Sequence, residues 1–373
     1  MRFSEFFDFW KNKAIIDIGK VITGNTPPTK NSSYYGDSFN WAGPSDLGMS
    51  KYINDTKVKL SNDGMLVSRV IPKNSILVTC IGSTIGKMGI STKEMATNQQ
   101  INSIIVNTKF NFEFIYYEIL YSFKKYLKTI EVQAVPIISK SAFERLKIYV
   151  PSIDEQHKLA KFLTLIDHRI DTQSKIIEDL ECQINYIRRK LFTGYINDDI
   201  YNQKHTFNKI FISYKKLNEQ SLQQYTIGKN GIKSMSNHLN YSINSHIVFM
   251  PNTLILGIGI DEIGVSIDTT GCCSPIYKTY KINNEIVDTL FLNIFANDYF
   301  SMIKNRVTQK STRREFEFDY KELSKTLFTL PDIETQKRDA QIVNKFYFKL
   351  QKEKDILELY KKQKAYLLKN MFI

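Results

Sequence analysis

One stretch of this chain occurs twice. Residues 150–194, VPSIDEQHKLAKFLTLIDHRIDTQSKIIEDLECQINYIRRKLFTG, lie without a gap on the segment from Leu330 to the C-terminus when the sequence is shifted by 180 positions. Pro151 falls on Pro331, Ile153 on Ile333, Gln156 on Gln336, Ala160 on Ala340, Glu178 on Glu358, Tyr186 on Tyr366 and Phe192 on Phe372. In the first copy, apolar side chains recur at Leu159, Leu163, Ile166, Ile170, Ile177, Leu180, Ile184, Ile187 and Leu191, in alternating steps of four and three, with Gln173 taking one turn. The second copy keeps the seam at Val343, Phe346, Leu350, Leu357, Tyr360, Leu367 and Met371, with Glu353 in the place of Gln173. A seven-residue apolar repeat of this length predicts a long helix laid against a partner helix. Forty helical residues span about 60 Å. Gly194 stands where a glycine just past a helix end would stand.

Two such helices, each following a globular segment, constrain the fold class. The expectation is α+β: two similar heads separated by two long antiparallel coiled-coil-like helices, a pseudo-twofold internal duplication. The boundaries read as 1–149 for the first head, 150–194 for the first helix, 195–329 for the second head and 330–373 for the second helix. A chain of 373 residues is too long for one typical core and suits this plan.

Charge says what such heads would meet. The formal net charge is +13, divided as +7 over 1–149, 0 over 150–194, +2 over 195–329 and +4 over 330–373. A balance of this kind points to polyanions. No run approaches 18 consecutive apolar residues, so no membrane span is expected. The start, MRFSEFFDFWKNK, lacks the apolar core of a signal peptide. Cys80, Cys182, Cys272 and Cys273 show no CxxC spacing, which reads as a reducing, cytoplasmic compartment.

In the first head, residues 14–24 read as a short strand ending in a glycine turn. The segment after them, through Gly48, reads as a long irregular loop carrying Lys30, Asn31, Ser32, Tyr34, Tyr35 and Trp41. Loops of that length are usually functional or disordered, and the aromatics argue against disorder; a surface loop pinned by tyrosines is the alternative. Residues 67–90 follow as a β-rich run with a turn at Pro72–Ser75 and a buried strand over 76–81. GSTIGK fails as a nucleotide loop, since its glycines are one residue too close and Met88 replaces the hydroxyl residue. ATNQQIN then offers Asn98, Gln99, Gln100 and Asn102, amides of the type that pair with adenine in the major groove, or that merely polarise a turn. An amphipathic helix is expected over 112–129.

The second head, from about Phe207, repeats this plan. MPNTLILGIGIDEIGVSI answers IPKNSILVTCIGSTIGKMGI, with Pro251 for Pro72, Asn252 for Asn74, and Gly259 and Gly264 for Gly82 and Gly86. Candidate contacts here are Lys229, Asn230, Lys233 and the run holding Arg306, Lys310, Arg313 and Arg314. With Lys30 and Lys87 of the first head, these basic residues are candidates for phosphate contact, which supplies affinity without sequence information. A solvated basic face is the alternative.

No catalyst emerges. Pro27-Pro28, flanked by Thr26 and Thr29, does not fit the Asn/Asp-Pro-Pro-aromatic motif of amino-methyltransferases. There is no helicase box, no HExxH and no nuclease set. The five histidines lack metal-ligand spacing. Asp154, Glu155 and Asp167 read as helix-start and surface charges. On the residues alone, a stand-alone nucleic-acid enzyme of unrecognised type and a structural coiled-coil adaptor remain open beside a non-catalytic binder.

RFSEFFDFW, ITGNTPPTKNSSYYG, PKNSILVTCIGSTIGK, ATNQQIN, ISKSAFERLKIYVPSIDEQHKLAKFLTLID and the repeated PDIETQ together resemble the specificity (S) subunit of type I restriction–modification systems. The likeness extends over essentially the whole chain. It departs in the second half, where Tyr214 or Leu217 stands for Trp10, FEFDYKEL for ISKSAF and Thr335-Gln336 for Glu155-Gln156. The resemblance implies a non-catalytic DNA reader, each head a target recognition domain gripping half of a split site on double-stranded DNA. It implies that the helices set the spacing and dock two methyltransferase (M) subunits, which bind S-adenosylmethionine and methylate a flipped adenine. Two restriction (R) subunits would add ATP- and Mg²⁺-dependent cleavage. No cofactor is implied for this chain, nor any membrane.

Overall fold

The computed structural model describes residues 2–127, 137–197, 203–217, 222–228, 231–235, 246–259, 261–309 and 317–372. The repeated stretches are helices of 45 and 39 residues, Ile153–Asn197 and Ile333–Met371. Each starts two residues after a proline, Pro151 or Pro331. Asp154 and Glu155 in the first turn of the one helix and Glu334 in that of the other complement its macrodipole. Asp332 caps the second helix by accepting from the amides of Glu334 and Thr335, and those bonds hold its carboxyl below the usual range.

The chain packs as two units. The first comprises residues 1–175 and 354–373, the second 176–353. Packing therefore divides each helix between units. In the first unit, Leu159, Leu163 and Ile166 share a core with Leu367, Leu368, Met371 and Phe372, and with Trp10 and Phe114 of the head. In the second, Ala340 and Val343 pack with Ile187, Leu191, Phe192 and Tyr195 around Phe291, Phe295 and Phe300. The first helix thus meets the end of the second in one unit and its beginning in the other, the antiparallel sense. Seam positions Ile177, Leu180, Ile184 and Leu350 are also buried; Ile170, Phe346, Leu357 and Tyr360 are half-buried.

The duplication extends through the heads strand by strand. In the first, Lys11–Ala14 pairs with Lys147–Val150. A sheet runs in the order Gly19–Thr23, Ile101–Val106, Ile76–Thr79, Met88–Ser91, Tyr52–Ile53, and another in the order Val58–Leu60, Tyr35–Ala42, Met95–Thr97, Val70–Ile71. In the second head, Gln203–Thr206 pairs with Leu327–Leu330. Its sheets run Phe211–Tyr214, Lys278–Ile282, Thr253–Leu256, Ile263–Ser266 and Gly231–Ser234, Gln224–Gly228, Gly271–Cys273, Ile247–Phe249. Each head joins two strands of the latter sheet in parallel, Tyr35–Ala42 to Met95–Thr97 and Gln224–Gly228 to Gly271–Cys273. Among the described residues, the non-glycine positions with positive φ are Asn74 (67°) and Asn252 (59°), the two turn asparagines that the sequence pairs. Asparagine tolerates that region better than most residues.

The glutamine of each helix entry also has one repeated job. Gln156 Oε1 accepts from the Asn111 amide at 3.0 Å while its Nε2 donates to the Pro151 carbonyl at 2.9 Å. Gln336 does the same with the Asp288 amide at 2.9 Å and the Pro331 carbonyl at 2.8 Å. Asn111 and Asp288 in turn accept from the amides of Phe114 and Phe291, capping the head helices Phe112–Leu127 and Thr289–Val307. The motif is a joint between head and long helix.

Several expectations are corrected. The first helix continues through Gly194 to Asn197, because Tyr195 beyond it is buried against Phe291 and Phe295 and its hydroxyl donates to Asp339. Tertiary packing outweighs the glycine's cost. The segment expected as loop after Gly24 contains the eight-residue strand Tyr35–Ala42. Gly264 matches Gly89 rather than Gly86, since each faces the matching strand residue, Ile255 or Leu77. Tyr214 lies in a strand that pairs like Gly19–Thr23, so it does not answer Trp10.

Glu155 and Asp167 are not surface charges. Glu155, fully buried, takes two 2.7 Å bonds from Arg2, so the N-terminal motif docks on the first helix. Asp167 accepts from Tyr117 Oη and Lys364 Nζ, both at 2.5 Å. Beside it Lys51, 5% exposed, donates to Thr164 at 2.7 Å, Tyr117 at 3.1 Å and Glu113 at 3.1 Å. Burial lowers the Lys51 pKa against the pull of Glu113. This network joins a head turn, the head helix and both long helices within the first unit.

Candidate nucleic-acid interface

The first head's candidate loop is a built object. Gly24 must be glycine, because a Cβ there would fall 2.1 Å from the Thr97 carbonyl oxygen and 2.4 Å from that of Asn98. Its neighbour Asn25 accepts through Oδ1 from the Arg69 amide at 2.6 Å and donates through Nδ2 to the Val67 carbonyl at 3.0 Å. Trp41 Nε1 donates to the Asn25 carbonyl at 3.1 Å, and Tyr35 Oη to that of Pro27 at 2.9 Å. Asn31 Oδ1 takes the Ser33 amide at 3.1 Å, closing the short turn Ser32–Tyr34. With the backbone held this way, Lys30, Asn31 and Ser32 are exposed, while Tyr34 and Tyr35 are half-buried.

The amide run divides by geometry. Asn98 Oδ1 accepts from the Gln100 amide at 2.8 Å, a local turn, and Gln100 Nε2 reaches the Ile81 carbonyl at 3.4 Å. Asn102 is buried and accepts from Thr23 Oγ1 at 2.6 Å. These three amides are thus buried or half-buried and bonded within the fold. Gln99 is exposed, with Thr26 as its side-chain partner. The exposed Arg69 is held to the same loop, its amide by Asn25 and its guanidinium donating to the Thr23 carbonyl at 3.0 Å. Sequence reasoning missed Arg69, for which no motif signalled a role.

Lys87 stands elsewhere in this unit. It is exposed and lines a cleft of about 420 Å³ with Lys51, Lys124, Asp167, Asp171, Lys361 and Lys364. Five lysines there face two aspartates, and Lys51, Lys361 and Lys364 already have carboxylate partners.

In the second head, Lys233 projects exposed from Gly231–Ser234, opposite Thr226. Arg306 is exposed in the last turn of Thr289–Val307, where a cation also complements the helix dipole. Lys229, Asn230, Lys310, Arg313 and Arg314 lie outside the described residues. Cys80, Cys272 and Cys273 are buried free thiols and Cys182 an exposed one; burial pushes Cys80 and Cys273 up to about 12. Among the described residues, no helix is long and apolar enough to cross a membrane.

Residues 8–182 match the family model described as Type I restriction modification DNA specificity domain. The HindI specificity subunit of a type I restriction enzyme from Haemophilus influenzae is 32% identical over 196 residues, 51% of this chain and 42% of that protein. The MjaIX specificity subunit from Methanocaldococcus jannaschii is 33% identical over 180 residues, 46% of this chain and 41% of that protein. The chain thus spans less than half the length of these relatives. A crystal structure of the type I restriction–modification S subunit from M. genitalium covers 99% of this chain and 97% of its own, with a TM-score of 0.59 at 18% identity. That likeness is one of fold.

Proposed function

We propose that this chain, whose residues 8–182 match the type I restriction modification DNA specificity domain, is the DNA-reading, non-catalytic subunit of a type I restriction–modification complex. The observation that carries this reading is the second scaffold. A domain of the matched family occupies the first half, and the second half rebuilds its sheets, its Asn74 turn as Asn252 and its Gln156 joint as Gln336. Two readers on one chain suit a site in two parts.

The division of labour follows from the site. Residues 1–149 and 195–329 are the recognition heads; 150–194 and 330–373 set their spacing and dock the partners. In the first head Gln99, Asn31 and Ser32 read base edges, for which an amide with both donor and acceptor is suited. Lys30, Arg69, Lys87, Lys233 and Arg306 meet phosphates, which position the duplex without reading it. Asn98, Gln100 and Asn102 hold the reading loop in shape. The partners are two methyltransferase subunits, supplying S-adenosylmethionine and adenine methylation, and two restriction subunits, supplying ATP- and Mg²⁺-dependent cleavage, in the cytoplasm.

The test uses purified chain with and without the methyltransferase subunit of the same system. Given S-adenosylmethionine and genomic DNA, the mixture methylates adenine at a bipartite sequence, and the chain alone, even with ATP and Mg²⁺, modifies and cuts nothing. Turnover by the lone chain sinks this reading.

A further inference from the structure

The first head holds a cavity of about 520 Å³ away from the loops discussed above. Its wall carries Lys125, Arg145 and Lys147, together with Ser122 and the rings of Tyr126 and Tyr149. Among the described residues none of the three cations is in an ion pair; the neighbouring Glu144 is taken by Lys140 at 3.5 Å. The volume lies within the about 300–1,000 Å³ typical of small-ligand sites. Two residues of the wall also hold Glu118, which is fully buried. Its Oε1 accepts from Ser122 Oγ at 2.8 Å and from the Tyr149 amide at 3.0 Å. Its Oε2 has no partner among the described residues. Buried polar atoms are almost always paired; Glu118 is not itself part of the wall, but it fixes Ser122 and the Tyr149 backbone in place behind it.

The duplicated head serves as an internal control. The caps Asn111 and Asp288 align the head helices, so Ser122, Lys125 and Tyr126 are answered by Tyr299, Met302 and Ile303. The strands Lys147–Val150 and Leu327–Leu330 align likewise, so Arg145, Lys147 and Tyr149 are answered by Lys325, Leu327 and Thr329. Lys325 is paired with Glu322 at 2.8 Å, and Tyr299 is buried with its hydroxyl on the Thr329 carbonyl. Among the described residues, three cations without an ion pair beside two aromatic rings therefore belong to the first head alone, Lys125 lying over the Tyr121 ring at 4.2 Å. A surface that both heads need for a two-part site would recur in both.

We propose that this cavity is a nucleoside-phosphate site, one per chain. Arg145 offers the planar fork that matches phosphate oxygens, Lys125 and Lys147 add point charges, and the tyrosine rings offer faces on which a base stacks. The source of the ligand is a free nucleotide or a nucleotide of a DNA strand; the chemistry is shared. The site is independent of the reading of this chain as a specificity subunit.

The test is calorimetric titration of the full chain with AMP, adenosine, inorganic phosphate and a DNA duplex. AMP binds with a stoichiometry of one, and adenosine or phosphate alone binds at least about tenfold more weakly. Arg145→Ala with Lys147→Leu, exposed positions the second of which takes the other head's residue, weakens AMP at least about tenfold while leaving the melting curve in place. Ser122→Tyr, again the second head's choice, closes the cavity and has the same effect. Displacement of AMP by the duplex assigns the ligand to a DNA strand, and independent binding of the two assigns it to a free nucleotide. No AMP binding at millimolar concentration, two sites per chain, or AMP affinity unchanged in both variants overturns the proposal.

Discussion

Replacing Glu118 by glutamine should make the first head less sensitive to a rise in pH from about 4.5 to about 7. Glu118 is buried in the head core, and burial pushes its carboxyl from 4.5 up to about 7, against the opposing bonds from Tyr149 and Ser122. Its folded pKa is raised above the unfolded one. Below about pH 4.5 both states hold the proton and there is no penalty. Between 4.5 and 7 the unfolded chain ionises first, and the folded state loses stability as pH rises. Above about 7 the loss is complete, at about 3 kcal/mol for a displacement of that size. The glutamine variant keeps the carbonyl acceptor and cannot ionise, though it buries an amide nitrogen where Oε2 now lacks a partner, at a cost of about 1 kcal/mol that is independent of pH. The useful quantity is therefore the change in the difference between variant and parent from pH 4.5 to pH 8. It should favour the variant by about 3 kcal/mol. Urea unfolding followed by tryptophan fluorescence measures this directly, because the chain's two tryptophans, Trp10 and Trp41, both lie in this head. Parallel pH profiles for parent and E118Q would refute the reasoning.

Three other outcomes are expected. Lys51→Met removes the buried cation that Glu113, Tyr117 and Thr164 share, leaves Glu113 with Tyr52 as its partner, and should cost about 3 kcal/mol in the same fluorescence assay, as breaking one side of a buried pair does; adding Glu113→Leu, after Leu290 of the second head, should recover part of it. Gly194→Ala should stabilise the chain by about 0.5–1 kcal/mol in a circular-dichroism melt, since the residue is helical and nothing lies within 4 Å of the added methyl. Gln99→Ala should relax base discrimination by about 1–3 kcal/mol in competition binding without lowering stability, whereas Asn102→Ala should lower stability by about 1–3 kcal/mol; the reverse pattern would exchange their roles.

What was legible in the sequence was what repeats. The heptad seam, the proline–glutamine joint and the turn asparagines each have a physical job that leaves a fixed spacing, and each recurs in the other half. What was not legible depends on residues that carry two meanings. An asparagine offers the same amide to a turn, as Asn98 does, as to an adenine edge, and only position decides. Lys51 and Asp167 look like solvated charges until three chain segments close around them. Gly194 carries a stop signal that Tyr195, one residue on, overrules by packing. The cationic cavity draws on residues 122–149, spread over a helix, a turn and a strand, and no motif spans them.

The central claim is that two heads on one chain each read half of a DNA site. It is tested most directly by mapping adenine methylation across a genome whose own system has had residues 1–149 of this chain exchanged for the corresponding head of a related specificity subunit. The account predicts that one half of the bipartite sequence changes while the other half is kept. Methylation at the original sequence, or a change in both halves together, would contradict it.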